Sequence, residues 1–195
     1  MFEVLNNLDT QWFYLINGHH NAVMDWVMWA LSSRGCWLVV IVAAYVLTTL
    51  RREPRRWWLA LAAVGLCFLL ADQGSVLLFK NTFCRLRPCH ALADVHMFRE
   101  GCGGRYGFVS SHAANAFALA TFFWMRYRRW PEWTKGKALA VPIALIVWAL
   151  LTCYSRVYLG KHYPGDLVCG ALFGVAVGLL VWWLTTRMDI FLKKK

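Results

Sequence analysis

Long apolar runs separated by short basic clusters divide this chain. Five runs are apolar enough for membrane-spanning helices, and they cover residues 36–50, 57–79, 110–125, 138–154 and 164–186. A helix needs about 20 mainly apolar residues to cross a bilayer, so the first run spans only with its flanking residues or in a thinned bilayer. The pattern predicts an all-α fold, a polytopic transmembrane helix bundle.

The first 34 residues follow a different pattern. Apolar side chains recur there at helical spacing, with polar residues on the other face: Leu5, Leu8, Trp12, Leu15 and Ile16. This stripe is typical of a helix lying in the membrane interface. A polar break at residues 17–21 precedes a second short helical pattern. We therefore expect a single domain, 1–195, with interfacial helices in 1–34, five spans and an outer loop at 80–110; a sixth span within 1–31 is the alternative.

Composition and charge narrow the class of protein. The chain is 59% hydrophobic and holds twelve Trp, which indicates a membrane protein. Its formal net charge is +11, but the basic residues form clusters between apolar runs rather than one aromatic-interleaved face, so nucleic-acid binding is excluded. Thirteen Lys and Arg fall in the loops 51–56, 126–137 and 187–195, against eight on the opposite side. The positive-inside rule makes the first side cytoplasmic and predicts an integral protein of the cytoplasmic membrane.

The outer loop holds three cysteines: Cys84, Cys89 and Cys102. In an oxidising compartment one disulfide is possible and one thiol is left over, but the spacing leaves the pairing open. The paired C-x2-C spacing of structural zinc sites is missing, so no metal is expected there.

Three polar segments fall on the same predicted outer side, because an even number of spans separates them. The first contains Lys80, Arg87 and Pro88. The second is Val109-Ser110-Ser111-His112, and the third runs from Ser155-Arg156 through His162 to Asp166. An imidazole, a carboxylate to orient it and cations to hold an anion are the parts needed for nucleophilic attack on a phosphoryl group.

The arrangement K-x6-R-P, then S-x-H, then S-R-x5-H-x3-D resembles the type 2 phosphatidic acid phosphatase (PAP2) family, which shares its site with vanadium haloperoxidases. The first and third motifs match at every defined position. The middle motif departs from the family pattern Pro-Ser-Gly-His, because Val109 and Ser111 stand where the family has Pro and Gly.

The resemblance implies a role for each residue. His162 is the expected nucleophile that forms a phosphohistidine, Asp166 orients its ring, and His112 is the general acid. Five further residues are expected to bind the phosphate: Lys80, Arg87, Ser110, Ser111 and Arg156. These cations supply the positive field, so the expected reaction needs no metal and no cofactor.

The implied function is metal-independent hydrolysis of a terminal phosphate from a membrane lipid phosphate or diphosphate, at the outer, periplasmic side of a bacterial inner membrane. Undecaprenyl diphosphate is the first expected substrate and lipid A the second. Phosphatidylglycerophosphate and phosphatidate are alternatives within the family. A non-enzymatic lipid transporter or flippase is the rival from another class, although it has no need of His112, His162 and Asp166 together. The arginines Arg85, Arg99 and Arg105 are expected to attract an acidic headgroup, and the alternative is that they only keep the outer loop solvated.

Overall fold

The computed structural model describes residues 2–50, 57–99, 101–128 and 140–193. Apart from one isolated antiparallel bridge between Leu86 and Tyr106, the regular structure of these residues is helical, which confirms the predicted all-α class. The helices are α1 Phe2–Asn17, α2 Ala22–Ser32, α3 Arg34–Tyr45, α4 Trp57–Gly74, α5 Asn81–Phe83, α6 Pro88–Ala91, α7 Ser111–Tyr127, α8 Ala140–Tyr158 and α9 Pro164–Lys193. Two π-helical segments, Val46–Leu50 and Ser75–Lys80, extend α3 and α4.

Three helices in the described residues are long and apolar enough to cross a bilayer. They are Trp57–Phe83, Ala140–Tyr158 and Pro164–Leu192. A fourth candidate is a broken span, made of Ala22–Ser32 and Arg34–Thr49 joined at a bend of 53°. The transmembrane helix bundle is thereby confirmed, while the five-span count stays a prediction, because α7 is only 17 residues long.

The basic clusters that carry the predicted orientation lie mostly outside the described residues: Arg51, Arg52, Arg55, Arg56, Arg129, Lys135, Lys137, Lys194 and Lys195. The cytoplasmic assignment of that side is therefore still an expectation from the sequence.

Helices α7 and α9 pack closely through a stripe of glycines on α9. A Cβ atom on Gly170 would lie 2.7 Å from the carbonyl oxygen of Ser110, and one on Gly178 would lie 2.5 Å from that of Ala118. Gly174 between them meets the backbone of Ala114 in the same way. Small residues at four-residue spacing let helix backbones approach in a membrane. This contact fixes the start of α7 beside the start of α9.

The ends of these two helices follow from their sequences. Ser110 is the N-cap of α7, and its hydroxyl accepts from the amide of Ala113 at 3.4 Å. Pro164 occupies the first position of α9, where its missing N–H has no cost. Asp166 then falls at the third position of the helix. Its side chain accepts from the amide of Tyr163, the residue before the helix, at 3.1 Å, as the N3 residue of a capping box does.

Helix α1 packs on the same end of the bundle. The side-chain amide of Asn17 donates to the carbonyl oxygens of Tyr158 and His96, at 2.7 and 2.9 Å, and Phe13 is fully buried beside Tyr163. The opposite face of α1 is exposed and apolar: Val4, Leu5, Leu8, Trp12 and Leu15. An exposed apolar face is what a membrane-contacting helix requires, and the interfacial position of α1 stays a prediction.

The outer loop is closed by a disulfide between Cys89 and Cys102, whose Cα atoms lie 5.8 Å apart. Cys84 keeps an exposed free thiol. The sequence allowed one disulfide and one remaining thiol in this loop without deciding the pairing, and the structure pairs Cys89 with Cys102.

Candidate active site

A cavity of about 510 Å³ opens among α3, α4, α7 and the segments that follow α4 and α8. Six residues selected from the sequence line it: Lys80, Arg87, Ser111, His112, Arg156 and His162. The two predicted imidazoles and the three predicted cations therefore share one hollow, although they come from three separate parts of the chain.

The nucleophile candidate, His162, is hydrogen-bonded at one ring nitrogen and faces a carboxylate at the other. Its Nε2 atom lies 2.9 Å from Nη1 of Arg87, and its Nδ1 atom lies 3.4 Å from Oδ2 of Asp166. A guanidinium can only donate, so Nε2 accepts and the ring proton is on Nδ1, facing the carboxylate. Burial, followed by the charges of Arg87, Arg156 and Lys80, holds the pKa of His162 well below its ordinary value. The imidazole is therefore neutral and available as a nucleophile at neutral pH.

Asp166 lies behind His162 and is completely buried. Its Oδ1 accepts from Nη1 of Arg85 at 2.7 Å, and its Oδ2 accepts from the amide of Tyr163 at 3.1 Å. The sequence predicted the pairing of Asp166 with His162 but expected Arg85 to attract a headgroup. That expectation is wrong, because the guanidinium of Arg85 is committed to carboxylates inside the protein.

Ser110 also differs from its predicted role. It is fully buried, does not line the cavity, and uses its hydroxyl to cap α7. Its amide donates to the carbonyl oxygen of Asp166 at 3.0 Å. Ser110 therefore joins the second and third motifs, in place of the direct phosphate contact that the sequence suggested.

Ser111 and Lys80 form a second polar contact at the cavity. The ammonium of Lys80 donates to the hydroxyl of Ser111 at 2.6 Å, and the hydroxyls of Ser111 and Ser75 lie 2.5 Å apart. The serine that stands where the family has glycine therefore holds the lysine of the first motif. A glycine there offers no such acceptor.

Arg87 is positioned by the outer loop. Its Nε donates to the carbonyl oxygen of Gly104 at 2.6 Å, and its Nη1 also donates to that of Lys161 at 3.1 Å. Burial lowers the pKa of Arg87, against the opposing charge of Asp166, but an arginine remains protonated at any physiological pH. The loop thus presents a fixed cation beside the reactive nitrogen of His162.

His112 lines the cavity from the first turn of α7, next to an aromatic wall. The ring of Trp37 lies edge-on to it, with centroids 5.7 Å apart, and also contacts Trp148 at 4.8 Å. Leu38, Ile41 and Phe68 continue the apolar lining. The cavity therefore has a cationic wall and an apolar wall, as an amphiphile with an anionic headgroup requires.

Three residues outside the three motifs also line the cavity: Arg34, Asp72 and Asn115. Asp72 precedes Lys80 by eight residues, roughly 12 Å along an α-helix, which is too far for a direct pair. The π-helical segment Ser75–Lys80 lies between the two residues, and both still reach the same cavity. A polar residue within an apolar run was the available signal.

This arrangement defines a class of protein: a helical membrane phosphatase with a histidine nucleophile candidate under three cations. A model of the PAP2 superfamily matches residues 56–189, and the chain belongs to that family. It is an enzyme of the lipid phosphatase type.

Two relatives of known activity align with more than 90% of this chain. The chain is 34% identical to a lipid A 4'-phosphatase of Bacteroides thetaiotaomicron over 96% of its own length and 81% of the relative's. It is 29% identical to a lipid A 4'-phosphatase of Porphyromonas gingivalis over 93% of its own length and 73% of the relative's.

Two solved structures share the fold. Aquifex aeolicus LpxE is 22% identical, with a TM-score of 0.62 over 89% of this chain and 94% of that one. The transmembrane PAP2 type phosphatidylglycerolphosphate phosphatase of Bacillus subtilis is 23% identical, with a TM-score of 0.66 over 95% and 86%.

Proposed function

We propose that this protein hydrolyses a phosphate monoester of lipid A or of a closely related phosphorylated saccharolipid, through a phosphohistidine on His162. The observation that carries the proposal is the single cavity in which Lys80, Arg87 and Arg156 face an apolar wall from α3 and α4. The two lipid A 4'-phosphatases that align with nearly the whole chain support this choice of lipid.

In the first step, the three cations bind the non-bridging phosphoryl oxygens, and Arg87 turns from Nε2 of His162 to the phosphate. His112 takes up a proton from the phosphate monoanion as it enters. The Nε2 lone pair then attacks phosphorus while the bond to the sugar oxygen breaks, and His112 gives that proton to the sugar oxygen. Asp166 stabilises the positive charge on the imidazole through the proton on Nδ1.

In the second step, water replaces the lipid alcohol. His112, now neutral, removes a proton from the water as its oxygen attacks phosphorus, and the phosphorus–nitrogen bond breaks. Inorganic phosphate leaves, His162 regains its neutral form and His112 regains its proton. Every proton has a source and a destination among these residues, so the scheme requires no metal.

The ranking of substrates differs from the one that the sequence suggested. Lipid A now precedes undecaprenyl diphosphate, because two relatives that align with 96% and 93% of the chain are named for lipid A. Phosphatidylglycerophosphate and phosphatidate remain alternatives, since the apolar wall suits their acyl chains equally well. A transporter is disfavoured, because lipid movement has no use for the paired imidazoles and the buried Asp166. The Lys and Arg bias of the sequence supports a periplasmic site at the cytoplasmic membrane.

A phosphate-release panel tests the proposal. Purified protein with excess chelator is given lipid A, undecaprenyl diphosphate, phosphatidylglycerophosphate and phosphatidate, and the products of lipid A are identified by mass spectrometry. We expect loss of one phosphate from lipid A at the highest kcat/KM, with no activity for His162→Gln. The control Arg187→Gln changes an exposed arginine of α9 that does not line the cavity and keeps activity. Higher kcat/KM on another lipid refutes the substrate, and loss of activity with chelator refutes the metal-free chemistry.

A further inference from the structure

Arg85 is enclosed by groups from three parts of the fold. Its Nη1 lies 2.7 Å from Oδ1 of Asp166, and its Nη2 lies 2.7 Å from Oδ2 of Asp9 on α1. Nη2 also donates to Oδ1 of Asn6 at 2.9 Å, and the guanidinium stacks 4.1 Å above the ring of Tyr163. Only 24% of the side chain is exposed.

The extended segment that carries Arg85 explains its place. Residues 85–87 pair with residues 105–107: the amide of Gly107 donates to the carbonyl oxygen of Arg85 at 2.8 Å, and that of Arg87 to Arg105 at 3.2 Å. Residues two apart on an extended chain point to the same side. Arg87 and Arg85 therefore reach the same pair of residues, one holding the imidazole of His162 and the other the carboxylate of Asp166.

Asp9 ties α1 to this arrangement at two points. One carboxylate oxygen binds Arg85, while the other accepts from the amide of Gly165 at 2.7 Å, in the first turn of α9. A Cβ atom on Gly165 would lie 2.8 Å from Oδ2 of Asp9, so the glycine is what allows the approach. Helix α1 lies outside residues 56–189, to which the family model applies.

We propose that Arg85 and Asp9 are positioning residues of the catalytic site, which hold the carboxylate of Asp166 so that its second oxygen faces Nδ1 of His162. Asp166 is completely buried, and a buried carboxylate that loses its cation is strongly disfavoured as an ion. Without Arg85 it would turn or take up a proton, and the imidazole would lose the group that fixes its tautomer. In this inference α1 belongs to the catalytic apparatus as well as to the membrane surface.

The charges around Arg85 agree with this role. Burial lowers its pKa, but the nearby carboxylates of Asp166 and Asp9 outweigh that effect and raise the pKa above its ordinary value. The guanidinium is thus a permanent positive charge whose N–H groups face protein oxygens. A headgroup-binding arginine would instead present them to the cavity, and Arg85 is not among the residues that line it.

The inference rests on the proposed function, and kinetic constants of purified variants on lipid A test it. We expect Arg85→Gln to lower kcat by about 10- to 100-fold, as loss of an outer partner of a working histidine does, with KM nearly unchanged. Arg85→Lys should recover part of kcat, because it restores the charge but not the two-pronged contact. Asp9→Asn keeps an acceptor for Gly165 and should lower kcat less. Adding Asp9→Asn to Arg85→Gln should cause no further loss, because Asp9 acts through Arg85.

Arg187→Gln is the control, since it removes an equal charge from an exposed position on α9 that does not line the cavity, and it should leave kcat unchanged. A rise in KM at constant kcat for Arg85→Gln would assign Arg85 to substrate binding and overturn the proposal. Additive losses from Asp9→Asn and Arg85→Gln would overturn the coupling. If Arg85→Gln does not fold, Arg85→Lys and Asp9→Asn test the proposal instead. A lower kcat with an unchanged KM supports it, and a higher KM with an unchanged kcat overturns it.

A second measurement separates this inference from the choice of substrate. Inorganic orthovanadate, a phosphate analogue, accepts the Nε2 lone pair as an added ligand on vanadium, and its binding is measured by calorimetry without turnover. We expect Arg85→Gln to bind it at least about ten times more weakly than wild type, even if no lipid is hydrolysed. Equal binding by Arg85→Gln and wild type would contradict the positioning role, whereas an inactive wild-type protein would contradict only the proposed function.

Discussion

Nη1 of Arg87 donates a hydrogen bond to Nε2 of His162 across 2.9 Å. This contact assigns the imidazole tautomer, because the nitrogen that accepts from Arg87 carries the lone pair needed for attack on phosphorus. In the proposed mechanism it also places a cation where the attacked phosphoryl group must come. A bound phosphate offers Arg87 a charged acceptor, so we expect substrate binding to release Nε2 of His162.

Arg87→Gln should lower kcat on the preferred lipid by about 10²–10³-fold, the loss typical of removing one preorganised donor to a developing charge. The glutamine keeps a donor but loses the charge and the paired N–H geometry. Steady-state kinetics measure the effect, with Arg187→Gln as the control for loss of a positive charge. A rise in KM with unchanged kcat would show that Arg87 binds substrate and transition state equally well.

His112→Asn should lower the rate by different factors on substrates with different leaving groups. If His112 protonates the lipid oxygen, the variant loses about 10²–10⁴-fold on an alkyl phosphate. A p-nitrophenyl phosphate leaves without a proton, so the same variant should lose far less on it. The ratio of the two rates, compared with wild type, is the measurement. Equal losses on both substrates would give His112 a binding or structural role beside Trp37.

The depressed pKa of His162, caused first by burial and then by neighbouring cations, has consequences for activity and stability. His162 of the free enzyme stays neutral on acidification down to its lowered pKa, so the acid limb of kcat/KM that belongs to His162 should lie below pH 6.5, the ordinary value for this side chain. For stability, the unfolded chain takes up the proton first as pH falls. The unfolded state then binds more protons, and the free energy of unfolding decreases below about pH 6.5.

Thermal unfolding of wild type and His162→Gln between about pH 5 and 8 checks the stability part of this prediction, because those pH values bracket the ordinary histidine pKa. The variant has no imidazole to protonate, so its melting temperature should fall less on acidification. Parallel curves for the two proteins would contradict the assignment of this pH dependence to His162.

The sequence predicted the cavity residues well because their motifs have fixed spacings. Parity of spans brought Lys80, His112 and His162 to one side, and the structure places them in one cavity. The α7 cap at Ser110 and the α9 start at Pro164 were predictable from local backbone preferences.

The groups around Asp166 were not predictable in this way. Asp9 contacts Arg85 and the amide of Gly165, which is 156 positions further along the chain, and no periodic pattern connects them. The available signal was Arg85 itself, two residues before Arg87. It looked like an exposed loop cation because the pairing of residues 85–87 with 105–107 does not show in hydrophobic periodicity.

Ser111→Gly restores the family residue in the middle motif, and we expect it to lower activity rather than raise it. Lys80 loses the hydroxyl that accepts its hydrogen bond at 2.6 Å, and Ser75 loses one partner at 2.5 Å but keeps the carbonyl oxygen of Asp72 at 2.7 Å. Each hydrogen bond lost costs about 0.5–1.5 kcal/mol, so the melting temperature should fall as well. Ser75→Ala is the matched variant, because it removes the second hydroxyl but leaves the contact with Lys80. Higher kcat/KM for Ser111→Gly would show that the serine only obstructs the phosphate.

Cys102→Ser should destabilise the outer loop and the site together. The disulfide joins positions 13 apart, and closing a loop of similar size stabilises a protein by about 3 kcal/mol. Cys89 follows Arg87 by two residues, and the Arg87 side chain bonds to Gly104 at 2.6 Å, just beyond Cys102. Opening the loop therefore loosens Arg87, and kcat should fall along with the melting temperature. Cys84→Ser removes the exposed free thiol of the same loop and should change neither quantity. If reducing agent leaves wild type as stable and active as before, the bond has no part in holding Arg87.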